Sequence, residues 1–190
     1  MHMDLLWENL PETVSIDNEQ YLIYTDFRRW VRLEHILFEQ SGPFIQKIST
    51  LLTLCYQTLP PTLEKAIDGM ISFYEGPTYA YGKQPSGQSR PIYSFVQDEA
   101  LIYAAFYQQY GINLAEADLH WWRFKALMQG ISEQTQLARV MMYRSLEPSQ
   151  IHNPKEKQYY RRMKELYRLQ DRRSDKEREH EISAALASLF

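Results

Sequence analysis

Two short stretches hold side chains whose types and spacing could do acid–base or metal chemistry. Glu116 and His120 stand four apart, a spacing that would bring a carboxylate and an imidazole together on one helix face, with Asp118 between them. Position 118 would point away from that pair on a helix, and a solvated Glu–His contact at a helix start is common, so the pair does not by itself predict catalysis. Glu177 and His180 form the one Glu-x-x-His, inside a charged tail where no rigid cage is expected, and a di-iron bundle needs two such pairs. Nucleophile motifs are missing too. No Gly-x-Ser-x-Gly elbow occurs, and Cys55 sits among Leu52, Leu54 and Tyr56 with no basic sequence neighbour to lower its pKa, so it reads as a small core side chain. Tyr81-Gly82-Lys83-Gln84-Pro85-Ser86-Gly87 has neither Walker spacing nor a preceding strand. The residues therefore predict a non-enzymatic protein with no catalytic residue, metal or cofactor.

The elements that would position any site read mostly as helices. Val14 and Ile16 alternate with polar neighbours, Asp17-Asn18-Glu19 is turn-prone and Tyr21-Leu22-Ile23-Tyr24 favours a strand, which predicts a hairpin over 13–24. Thr25 or Asp26 should cap a helix to about Gln40, with Phe27, Val31 and Phe38 in one buried row, Trp30, Leu33 and Leu37 in another, and Arg28, Arg32, His35 and Glu39 facing water. Further helices are expected over about 43–58 and from Thr62 to Glu75-Gly76, and then a long loop over 76–91 that is either mobile or functional. From Ser94, the row Val96, Ala100, Tyr103, Tyr107 and Tyr110 predicts a core helix closed by Gly111. Leu114, Ala117, Trp121, Phe124 and Met128 predict another over about 115–129, Ser132 with Glu133 opens one to about Ser145, and the last covers about 155–173. The expected architecture is a mostly α single domain over 1–173, a bundle of about seven helices with a short N-terminal β-hairpin. A charged, frayed tail over 174–190 follows.

Composition bounds the class. The 190 residues are 44% hydrophobic and 14% aromatic, enough for a core without a disulfide or metal staple, and one cysteine precludes an internal disulfide. No stretch approaches the roughly 18 apolar residues of a membrane span, and the first thirty residues lack a secretory pattern, so a cytosolic protein with no membrane partner is expected. The net charge of −3 hides an asymmetry, with 11 basic and 17 acidic residues over 1–151 against 10 and 7 over 152–190. On a helical wheel Tyr159, Tyr160, Met163, Leu166 and Tyr167 gather on one side and Lys157, Arg161, Lys164, Arg168 and Arg172 on the other. That basic stripe could bind nucleic acid, but Glu165 and Asp171 flank it, and a solvated face of a packed helix is the simpler reading.

The segments Gln109-Tyr110-Gly111-Ile112-Asn113-Leu114 and Asp118-Leu119-His120-Trp121-Trp122-Arg123-Phe124-Lys125-Ala126-Leu127 resemble the signature of the bacteriophage "gene product fifteen" family, found in tailed phages and prophages of Gram-positive bacteria. The likeness extends to Thr25-Asp26-Phe27-Arg28, Phe73-Tyr74-Glu75-Gly76, Tyr93-Ser94-Phe95-Val96-Gln97-Asp98, Met142-Tyr143-Arg144-Ser145 and Tyr160-Arg161-Arg162-Met163-Lys164. Members are encoded in the tail-morphogenesis block just before the tape-measure gene. The resemblance therefore implies a tail assembly factor, a chaperone that binds the tape-measure protein in the host cytoplasm, and it supplies no catalytic residue. Alternatives are a minor structural or connector component that stays in the virion tail, or a nucleic-acid-binding or regulatory phage protein using the basic C-terminal helix. Trp121 and Trp122 are about 100° apart on a helix. Either the helix is buried on two sides, or Trp122, with His120 and Arg123, anchors a partner or self-association surface. Lys157, Arg161, Lys164 and Arg168 are the other candidate partner-binding residues.

Overall fold

The computed structural model describes residues 10–39, 43–76 and 91–170. The expected loop over 76–91, apart from its ends, and the charged tail with Glu177 and His180 lie outside them. The described part is mostly α, with seven α-helices and one two-stranded antiparallel sheet. Contacts group it into two compact units, one comprising residues through 76 with Asp118–Ala126, the other 91–117 with 127–170.

The first unit begins with strands β1 (Thr13–Ile16) and β2 (Glu19–Leu22), Ile16 pairing with Glu19. Asp17 and Asn18 both take positive φ, 52° and 67°, the two-residue turn whose twist matches paired strands, and both side chains tolerate that region. A lone hairpin is marginal in water, so it must lean on a helix. It does so at Gly69 of α3 (Leu63–Glu75), where a Cβ would meet Tyr56 Oη at 2.6 Å and Ile16 Cδ1 at 3.2 Å. Backbone bonds from Tyr24 N to Cys55 O (2.6 Å) and from Gln57 N to Leu22 O (3.1 Å) tie it to the end of α2 (Phe44–Cys55).

Helix α1 (Phe27–Glu34) is capped by Asp26, whose carboxylate accepts from Arg28 N at 2.8 Å, and it runs into a π-helical turn over His35–Glu39. Phe27, Trp30, Leu33 and Ile36 are buried, whereas Val31 and Leu37 are only half-buried. The apolar pattern offered two rows; packing chose one stripe between them.

In the second unit α4 spans Glu99–Tyr110 and ends at Gly111 (φ 67°) as expected, but its buried face is not the expected one. Ile102, Ala105 and Phe106 are buried, while Val96, Ala100, Tyr103 and Tyr107 face water and Tyr110 is half-covered. Glu99 is the one charged residue on this helix, so periodicity had no polar face to orient it. Tyr110 Oη donates to Leu127 O at 2.8 Å and Tyr103 Oη to Asn113 Oδ1 at 3.1 Å, so hydroxyls at the rims let tyrosines line an exposed row. Helix α6 (Gln136–Ser145) starts four residues later than Ser132 suggested, because Thr135 supplies the cap: its Oγ1 accepts from Ala138 N at 3.2 Å.

A buried ion pair fixes this unit. Arg144 of α6 grips Asp98 with two parallel bonds of 2.5 and 2.9 Å, and also donates to Ile92 O (3.0 Å) and Tyr167 O (2.6 Å). Asp98 additionally accepts from Ser94 N at 3.0 Å. One guanidinium thus ties together the segment before α4, α6 and the end of α7 (Pro154–Leu166). Removing one partner of such a pair strands the other in a dry site. Arg144→Met should therefore lower stability by about 3–5 kcal/mol in urea denaturation, whereas Arg139→Met, at an exposed position of the same helix, should change it by less than about 0.5 kcal/mol.

Candidate functional site

Helix α3 ends with four carbonyls that have no partner within the helix. Ser72 O accepts from Gly76 N at 3.1 Å. Phe73 O accepts from Trp122 Nε1 at 2.7 Å, and Tyr74 O from Trp121 Nε1 at 3.0 Å. Lys125 Nζ, 2.9 Å from each, donates to Tyr74 O and Glu75 O. The end of α3 is closed by side chains arriving from about fifty residues away in the sequence.

The donors reach it because the segment before α5 (Trp121–Gln129) is extended rather than helical. Phe27 N donates to Leu119 O (3.1 Å) and Trp121 N to Thr25 O (2.7 Å), a short antiparallel bridge at Asp26 and His120. That pairing takes the backbone groups a helix from about 115 would have used, so α5 begins six residues late. The Glu116–His120 helical pair does not form: Glu116 lies in a turn over 114–116 and His120 in the bridge.

Trp121 and Trp122 are both buried, 1% and 6% exposed. Trp122 stacks on Phe73 with ring centroids 4.8 Å apart, and Trp121 stacks on Trp30 (6.1 Å) and Tyr74 (5.5 Å). The helix is thus buried on two sides, and the reading that needs Trp122 as an exposed anchor is corrected by its position. Gly76, φ 63° and ψ −157°, occupies a region essentially restricted to glycine, and a Cβ there would lie 2.8 Å from Trp122 Nε1. Arg123 and His120 are half-buried. His120 Nδ1 accepts from Trp122 N at 3.1 Å while Nε2 meets Pro11 O at 3.1 Å, a pattern that requires the neutral ring with its proton on Nε2. Burial is the main cause that holds the His120 pKa below its ordinary value; Arg123 adds to this, and Pro11 O and Glu12 oppose it.

Among the described residues no group of three or more His, Cys, Asp or Glu could hold a metal ion, and no helix is long and apolar enough to cross a membrane. Burial pushes the Cys55 thiol far above its usual range, with Arg29 opposing; this arginine, distant in sequence, places its guanidinium 3.4 Å from Leu54 O.

Helix α7 ends at Leu166, short of the expected 173, and turns differently from its wheel. Tyr160, Met163 and Tyr167 are half-buried as the apolar row predicted, but so are Lys157 and Lys164 from the basic row, while Tyr159 and Leu166 are 50% and 65% exposed. Lys164 Nζ donates to Leu146 O (2.6 Å) and pairs with Glu147 (3.1 Å), so its stem lies along the protein. Arg161 is exposed, and Arg168, also exposed, has Glu165 at 3.8 Å. The basic residues are not gathered into one free face. What sequence reasoning missed is the outward position of Val96, Tyr103, Tyr107, Tyr159 and Leu166; the tyrosine hydroxyls were the available signal, since they suit a half-wet site.

Truncating the buried indole should be severe: Trp122→Ala is expected to cost about 3–5 kcal/mol in denaturant unfolding, and Trp122→Phe, which keeps the stack but leaves Phe73 O unpaired, about 1–3 kcal/mol. For His120 the folded pKa lies below the unfolded one, so its contribution is intact above about pH 6.5 and declines as pH falls, because the unfolded chain takes up a proton that the folded one resists. Urea midpoints should fall between pH 7.5 and 5.5, and less steeply in His120→Gln.

The segments that meet here, Thr25-Asp26-Phe27-Arg28, Phe73-Tyr74-Glu75-Gly76 and Asp118 to Leu127, are those that carry the phage resemblance, and Asp98 with Arg144 joins two more of them. No curated protein and no solved structure matches the chain. Residues 6–169 match the family described as Bacteriophage Gp15 protein, and the chain belongs to that family.

Proposed function

We propose that the chain is a non-enzymatic phage tail assembly factor that binds the tape-measure protein during tail morphogenesis. The observation that carries the reading is the outer row of α4. Ala100, Tyr103 and Tyr107 are exposed, the two tyrosines by 39% and 58%, while Ile102, Ala105 and Phe106 bury the opposite side. Tyr103 and Tyr107 lie with parallel rings, 7° apart in tilt and 6.2 Å between centroids. A helix apolar on both sides, left in water on one, marks a surface made to be covered.

A tape-measure protein fits that surface by its chemistry. It is a long, largely helical, apolar-striped chain that would aggregate before the tail tube encloses it, and a helix laid along α4 would cover its stripe. Membership of a phage family supports the setting, and the resemblance to proteins encoded beside the tape-measure gene supports the partner. Binding would take place in the host cytoplasm, where tails assemble.

Co-expression with the tape-measure chain of the same phage tests this. The soluble fraction of that chain should rise severalfold, and the double variant Tyr103→Ser, Tyr107→Ser should remove the gain with its own far-UV dichroism unchanged. A tape-measure chain equally insoluble with and without the protein would overturn the reading.

A further inference from the structure

Helix α7 packs through Tyr160, Met163 and Tyr167, with Tyr167 O held by Arg144 and Lys164 bound to Leu146 O. A flanking face, about 100° round the helix from that packed row, stays open: Lys155, Tyr159, Arg162 and Leu166, all exposed, fall within about 60° of one another at 100° per residue. Their spacing is 4-3-4. Tyr159 and Leu166 are one heptad apart, and so are Lys155 and Arg162, which makes the face a two-heptad seam with apolar side chains at one core position and cations at the other. The Tyr159 hydroxyl touches that of Tyr143 at 3.2 Å, which fixes the ring at the seam's edge without covering it. Among the described residues neither Lys155 nor Arg162 has an ion-pair partner.

We propose that this face is a short coiled-coil seam that docks an acidic, heptad-patterned helix of the tail protein the chain binds. Charge selects the occupant. Residues 154–168 carry six cations against two carboxylates, Glu156 and Glu165. A second copy of α7 laid on this seam would set Lys155 and Arg162 among the partner's own cations, which disfavours self-pairing. A helix with Leu at one core position and Glu at the other would place carboxylates seven residues apart, in register with Lys155 and Arg162, and apolar side chains against Tyr159 and Leu166. The seam is about 16 Å long at 1.5 Å per residue, so the contact is small and reversible, as release of an assembly partner requires. The choice of a tail protein as the source of that helix rests on the function proposed above; the seam's preference for an acidic helix does not.

The test uses the full chain and synthetic three-heptad peptides followed by fluorescence anisotropy. A peptide with Leu and Glu at alternate core positions should bind roughly tenfold or more tightly than one with Leu and Lys. The charge-reversed double variant Lys155→Glu, Arg162→Glu should invert that preference, and Leu166→Ser should weaken binding of the acidic peptide, each with unchanged far-UV dichroism. Equal binding of both peptides, or no response to the charge reversal, would overturn the seam, as would tighter binding to duplex DNA or to vesicles of anionic lipid than to the acidic peptide. If the tape-measure chain is still solubilised while the peptides show no preference, the seam alone fails. If the peptides behave as expected and the tape-measure chain stays insoluble, the function fails and the seam stands.

Discussion

Four unsatisfied carbonyls at the end of α3 set the terms for the first unit. An isolated helix end can leave them to water, but here Phe73 and Met70 are buried, and a bare carbonyl beside them would go unpaired. Two indole N–H groups, one ammonium and the Gly76 amide supply the donors. Each donor constrains something else. Trp122 needs Gly76 to have no side chain, Trp121 needs the bridge to Thr25, and that bridge delays α5, while Trp122 N and Pro11 O fix the His120 tautomer. The aromatic stack of Trp30, Phe73, Tyr74 and Trp121 follows from placing these rings against the helix they cap.

The second unit solves the corresponding problem with charge. Arg144 and Asp98 are nearly dry, their side chains 9% and 3% exposed, and they are affordable there because the guanidinium also meets two backbone carbonyls and the carboxylate a backbone amide. With the ends of three segments held by one residue, α4 and α7 keep faces free of internal packing. The sequence segments that mark the family are thus largely fasteners, and the exposed apolar side chains of α4 and α7 lie beside them.

Much of this was legible in the amino-acid order. The Asp17-Asn18 turn, the Asp26 cap, the Gly76 and Gly111 stops and the buried row Trp121, Phe124, Met128 are local devices, each governed by residues within about one helical turn. The failures share one cause. Helix α4 carries apolar side chains on more than one side, so which side is covered depends on α6, which arrives about forty residues later. The start of α5 was misread because the helical pattern from Leu114 to Met128 is real, and only a strand bridge to Thr25 and Phe27 competes with it.

By itself the sequence determined the element types and most of their ends, since caps, turn residues and periodicity act over a few residues. It also determined the family, whose marks are spread along nearly the whole chain. Only the tertiary structure decided which faces are buried. Trp122 went inside because a distant carbonyl needed its N–H, and Tyr103, Tyr107, Tyr159 and Leu166 stayed outside because no neighbouring element covers them among the described residues. Burial is a property of pairs of segments, and no single helix carries the information that selects its partner.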